Sequence, residues 1–81
     1  MSIENKLKFV MRDVGKSRSD VAEALKISEA AVSNKFYRDS FSAEDLIKIA
    51  ACLGFELALI NDDKKIILDM NDIKPDPKAN G

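Results

Sequence analysis

Glu29, Ala30, Ser33 and Asn34 fall within one short stretch of an 81-residue chain. Each side-chain type has a defined way of meeting a nucleic-acid base edge. An Asn amide pairs bidentately with adenine, a Ser hydroxyl bonds to donors or acceptors, a Glu carboxylate accepts from cytosine, and an Ala methyl packs on the thymine methyl. Around them stand groups suited to phosphate: the hydroxyls of Ser17, Ser19, Ser28 and Tyr37, and the cations of Arg18, Lys35 and Arg38. Lys16 reads as an ordinary solvated lysine.

Other chemistries lack their residues. The chain has no His, which excludes His-based triads, His general bases and His-ligated metals. A single cysteine, Cys52, excludes an intrachain disulfide and a Cys-rich zinc site; it reads as a small core or interface residue in a reducing compartment. Asp62, Asp63, Asp69 and Asp72 lack the EF-hand spacing and read as turn and solvation residues. No Ser and Lys pair comes with a pocket or an oriented base, so no enzyme, cofactor or metal is expected. No apolar run reaches the roughly 18 residues of a membrane span, and the start lacks a signal-peptide core. The expected location is therefore cytoplasmic, with no membrane partner.

The elements that must position these residues follow from periodicity and caps. Ser2 to Val14 reads as a helix with Ile3, Leu7, Val10 and Val14 on one face, widened by Met11 and Phe9. Ser2 is its N-cap and Gly15 its stop. Ser17 caps a short second helix, Arg18 to Leu25, whose inner face holds Val21, Ala22 and Leu25. After Lys26 and Ile27, Ser28 caps a third helix that runs to about Tyr37 with Val32 and Phe36 inside. Glu29 in its first turn suits the helix dipole. Two short helices this close have the spacing of a helix-turn-helix. Ser42 to Asp45 forms a capping box with Asp in place of Glu or Gln, and a fourth helix runs to Leu53 with Leu46, Ile49, Ala50 and Leu53 inward. Phe41, just before the cap, is placed to staple against Leu46 or Ile47. Beyond Gly54 the period changes to two: residues 55–60 and 65–70 predict a β-hairpin around Asn61-Asp62-Asp63-Lys64. Residues 71–81, with Pro75, Pro77, Asn80 and Gly81, read as a flexible tail.

Residues 17–36, Ser-Arg-Ser-Asp-Val-Ala-Glu-Ala-Leu-Lys-Ile-Ser-Glu-Ala-Ala-Val-Ser-Asn-Lys-Phe, resemble the helix-turn-helix of the phage-repressor/Cro-like (XRE-type) family. Ala22 stands where that family keeps a small residue between the two helices. Ile27 matches the apolar turn residue, Ser28 the recognition-helix cap and Val32 its buried β-branched residue. The resemblance covers about residues 1–54 and implies a mainly α, lambda-repressor-like bundle of four helices followed by a C-terminal hairpin. That hairpin replaces the fifth helix usual in the family. The resemblance further implies that Glu29, Ala30 and Asn34 hold base-reading positions, with Ser33 beside them, and that Arg18 takes a phosphate-binding position. Lys26 departs from the family's usual turn glycine, a position that often needs φ > 0. Lys35 occupies a place that is often apolar, with Phe36 as the anchor one residue later.

The net charge of -1 conceals a polarity. Residues 1–38 carry eight Lys/Arg against five acids, a sum of +3, and residues 39–81 carry five against nine, a sum of -4. Phosphate binding depends on local cations, so the basic half suits double-stranded DNA. One hairpin face carries Phe55, Leu57, Leu59, Ile66 and Leu68. An isolated two-stranded hairpin is marginal in water, so residues 55–70 either pack one face on the helices or form the interface of a homodimer. The expected dimer binds a palindromic operator through the domain of residues 1–54, with the helix 29–37 in the major groove, most simply as a repressor. Two alternatives carry different partners: an antitoxin that also binds a toxin or other regulatory protein, and a helix-turn-helix module that binds protein without DNA.

Overall fold

The computed structural model describes residues 2–73. Helix α1 (Ile3–Val14) is followed by α2 (Arg18–Leu25), α3 (Glu29–Arg38) and α4 (Ala43–Leu53), then by strands β1 (Leu57–Ile60) and β2 (Lys65–Leu68). The mainly helical bundle with a trailing hairpin is the fold that the periodicity and the resemblance imply. The expected tail is described only to Ile73; residues 74–81 lie outside the described residues.

The helix boundaries follow their caps. Ser2 Oγ accepts the Asn5 N–H at 3.0 Å, Ser28 Oγ the Ala31 N–H at 3.1 Å and Ser42 Oγ the Asp45 N–H at 3.0 Å. In the Ser42 box, Asp45 Oδ2 returns the contact by accepting the Ser42 N–H at 3.0 Å. Gly15 and Gly54 end α1 and α4 in the left-handed region, at φ 72° and 78°, where only glycine escapes a Cβ penalty.

Val21, Val32, Ile49 and Phe36 are fully buried and form the centre of the core, with Met11, Ala22, Leu25 and Leu53 around them. Helix α2 packs on both α3 and α4, and Ala22 is the small residue at that junction. Removing a side chain such as Phe36 from water contributes roughly 1.5–3 kcal/mol. The Phe41 ring meets Phe36 edge to face, with centroids 5.1 Å apart and planes at 87°. It thus joins the core, packing against the buried cluster through α3.

Four expectations need correction. Phe9 does not widen the buried face of α1: it is 70% exposed, while Met11 is the buried residue of that helix. Ile3 and Val14, at the two ends of the predicted stripe, are also exposed, while Leu7, Val10 and Met11 between them supply the side chains that pack on the core. In α4, Ile47 is buried alongside Ile49 and Leu53, whereas Leu46 and Ala50 are half-buried. The reason is that α4 has two partners. Ile49 and Leu53 face the helical core, while Ile47 and Ala51 line a groove of about 220 Å³ shared with Phe55, Leu57, Leu68 and Met70. Finally, the strands are shorter than predicted, since Phe55 precedes β1 and Met70 opens a 3-10 turn, Met70–Asp72. Asp69 caps that turn, accepting the Asn71 N–H at 2.9 Å.

The hairpin is antiparallel, with Leu57 opposite Leu68, Ala58 opposite Ile67, Leu59 opposite Ile66 and Ile60 opposite Lys65. Directly opposed residues share a face, so Leu57, Leu59, Ile66 and Leu68 lie together as the alternation predicts. Asn61 shapes the turn: its Oδ1 accepts the N–H groups of Asp63 and Lys64 at 2.9 and 2.8 Å.

Candidate nucleic-acid interface

Helix α3 presents its outer face by elimination. Val32 and Phe36 are buried, so at about 100° per residue Asn34 lies diametrically opposite their midpoint. Ala30 and Tyr37 flank Asn34 at i−4 and i+3. All three are exposed, Tyr37 to 86%, and together they form the crest of the helix. Glu29 is exposed at the first turn, on the flank nearer α2.

Ser33 sits half-buried on that same flank. Its Oγ accepts a hydrogen bond from Arg18 Nη1 at 2.9 Å. The Arg18 guanidinium carbon stands 5.8 Å from the centroid of the Phe36 ring, within cation–π range. The first residue of α2 is thus tied to the middle of α3. On the opposite flank, Lys35 Nζ lies 2.9 Å from Asp45 Oδ2 in α4. Partial burial works to raise the Asp45 pKa. The Ser42 N–H, the Lys35 ammonium and the Ser42 hydroxyl outweigh it and hold the carboxyl below the usual range.

The start of α2 is also organised by a carboxylate. The Ser17 N–H donates to Asp20 Oδ2 at 2.8 Å and the Ser17 hydroxyl donates to the same oxygen at 3.1 Å. The backbone bond first, the hydroxyl second and the nearby Lys16 charge hold the Asp20 pKa below its ordinary value, against a smaller opposing effect of burial. Ser19 and Arg38 are exposed, one in the first turn of α2 and the other at the last position of α3. Ser28 uses one lone pair as the α3 cap and keeps its proton available to donate. Cys52 is half-buried between α4 and α2, its thiol 3.7 Å from the Asp20 carbonyl oxygen.

Several of these arrangements escape the sequence. Arg18 with Ser33 and Lys35 with Asp45 join different helices, and no spacing rule pairs them. Asp39 has two structural roles. It closes α3 in the left-handed conformation at φ 53°, and its Oδ1 accepts the Glu4 N–H of α1 at 2.7 Å. The one available signal was the tolerance of Asp for that conformation. Lys26 does adopt the positive φ expected of the turn position, 57°.

Among the described residues, no helix is long and apolar enough to cross a membrane. A sequence model of the bacteriophage CI repressor helix-turn-helix domain matches residues 10–64, from the middle of α1 to the hairpin turn. No curated protein and no solved structure matches the chain.

Proposed function

The chain belongs to the bacteriophage CI repressor helix-turn-helix domain family, whose members are DNA-binding regulators, and from that premise we propose that it represses transcription as a homodimer on a two-fold symmetric operator. The observation that carries the reading is the outer face of α3. Ala30, Asn34 and Tyr37 form an exposed crest, with Glu29 and Arg18 on one flank and Arg38 at its exit. A recognition helix enters the major groove with its N-terminal half against the bases. Glu29, Ala30 and Asn34 then meet base edges. Ser17, Arg18, Ser19, Ser28, Lys35, Tyr37 and Arg38 meet phosphates on either side. Lys35 does so while sharing its charge with Asp45.

The homodimer rests on the hairpin. Leu59 and Ile66, opposed on one face, are 62% and 55% exposed. A second copy covering this surface would set two recognition helices one DNA turn apart, about 34 Å. The same exposed surface supports one second reading, an antitoxin-like regulator in which a protein partner takes the place of the second copy. Sedimentation of the isolated chain separates them: a tight dimer favours the first, a monomer at high concentration the second.

Asn34→Ala tests the base-reading role. On a duplex recovered by selection from a random library, it should weaken binding by about 1–3 kcal/mol while leaving random-sequence binding nearly unchanged. An equal loss on both duplexes removes Asn34 from the set of base readers.

A further inference from the structure

The contact between Arg18 and Ser33 has a consequence for how the interface is ordered before any nucleic acid arrives. Arg18 opens α2, Ser33 lies in the middle of α3, and the hydrogen bond between them spans 15 residues of sequence. Ser33 and Phe36, at i and i+3, are neighbours on one strip of α3. Phe36 is itself fixed, being buried and packed by Phe41. The guanidinium is therefore held at two points, by a hydroxyl at 2.9 Å and by an aromatic face at 5.8 Å. It lies in the angle between the two helices.

Among the described residues, Lys8, Lys35, Lys48 and Lys65 each pair with a carboxylate, but no carboxylate pairs with Arg18. The nearest acid in its own helix turn, Asp20, is turned onto Ser17. A guanidinium has five N–H donors in a planar fork. One goes to Ser33, and the others remain for an acceptor from outside. Arg18 is exposed on the side of the crest.

We propose that Ser33 is a positioning residue, not a base reader: its hydroxyl holds the Arg18 fork in the orientation that receives a DNA phosphate, coupling the phosphate register set by α2 to the base-reading crest of α3. This rests on the DNA-binding reading above and adds to it a specific role for one residue. An arginine free in solution loses rotamer freedom when it docks. Holding it beforehand avoids that loss, equivalent to roughly two- to tenfold in affinity.

The experiment is a double-mutant cycle in the full chain: Ser33→Ala, Arg18→Ala and the pair, with Ser33→Thr as the rescue and Arg18→Lys as a second background. Binding is read by anisotropy on a random-sequence duplex about two helical turns long, at several salt concentrations from about 50 mM upward. Circular dichroism confirms that each variant is folded. Ser33→Ala should weaken random-duplex binding by roughly two- to tenfold without changing the salt slope, since the charge is still present. Arg18→Ala should weaken it at least as much and lower the slope by about one. Adding Ser33→Ala to Arg18→Ala, or to Arg18→Lys, which lacks the fork, should cost nothing more. Ser33→Thr should bind like the unmodified chain. Additive losses, or a Ser33→Ala variant that keeps full random-duplex affinity, overturn the proposal. A chain that in unmodified form binds no duplex at about 50 mM salt overturns the DNA-binding reading itself, and the two failures are thereby distinguished.

Discussion

Among the described residues, two with side chains sit in the left-handed region, and the same substitution at each should move stability in opposite directions. Lys26 ends α2 at φ 57°, ψ 44°, and Asp39 ends α3 at φ 53°, ψ 40°. For Lys26, the Cβ clash of this conformation costs roughly 1–2 kcal/mol. Lys26→Gly relieves it and leaves the backbone bonds of the turn intact, including Ile27 N–H to Ala22 O at 3.1 Å. Against this, glycine adds freedom to the unfolded chain worth about 0.4–1 kcal/mol, and the lost cation at a helix C-terminus costs about 0.3 kcal/mol. The expected net is a stabilisation of about 0.5 kcal/mol. For Asp39 the balance reverses. Aspartate is less strained in this region, and Asp39→Gly deletes the carboxylate that accepts the Glu4 N–H of α1 at 2.7 Å. Loss of such a cap costs about 0.5–2 kcal/mol, so a net destabilisation of about 1 kcal/mol is expected. Urea titration at neutral pH measures both, and each kcal/mol corresponds to a Tm shift of about 4–8 °C in a domain of this size. Asp39→Asn, which keeps an acceptor oxygen and tolerates the same φ, should fall between the native chain and Asp39→Gly. The reasoning is refuted if Asp39→Gly stabilises as much as Lys26→Gly, because Asp39 would then act through its backbone conformation alone.

A charge on the exposed hairpin face tests the dimer: Leu59→Lys should weaken self-association measured by sedimentation without unfolding the helices, and an equally tight dimer would exclude that face as the interface. The acid limb of stability tests the two lowered carboxyls. A group whose folded pKa lies below its unfolded value stabilises the fold above the ordinary carboxylate range and loses that contribution as pH falls through the folded value. Asp45 and Asp20 are both of this kind, so urea midpoints should drop progressively below about pH 4. Asp45→Asn keeps an acceptor for the Ser42 N–H and should lower stability at neutral pH while flattening the drop; an unchanged pH profile would show that the Lys35 pair contributes nothing.

Much of the architecture was legible because the signals are local. A serine cap bonds to an N–H three residues on, a stripe such as Val32 with Phe36 repeats every four, and a hairpin announces itself by alternation around Asn61. The misread positions are those where a second partner intervenes. The spacing of apolar residues in α4 marks an amphipathic helix, but not that Ile47 would be buried under the hairpin while Ile49 faces the helices. In α1, Phe9 fits a widened stripe on paper, yet it faces solvent because it lies nearly across the helix from Leu7, Val10 and Met11, which meet the core.

Local signals account for the helices, their caps and the residue types on the outer face of α3, since each depends on neighbours within about one helical turn; the positive φ at Lys26 is what the family resemblance implies. Which of those side chains are held and which stand open depends on contacts between helices. Arg18 reaches Ser33 across 15 residues, Lys35 reaches Asp45 across 10, and Asp39 caps α1 across 35. Each contact depends on how one helix is rotated and set against another, and that setting comes from the packing of Val21, Val32, Phe36 and Ile49 as a whole.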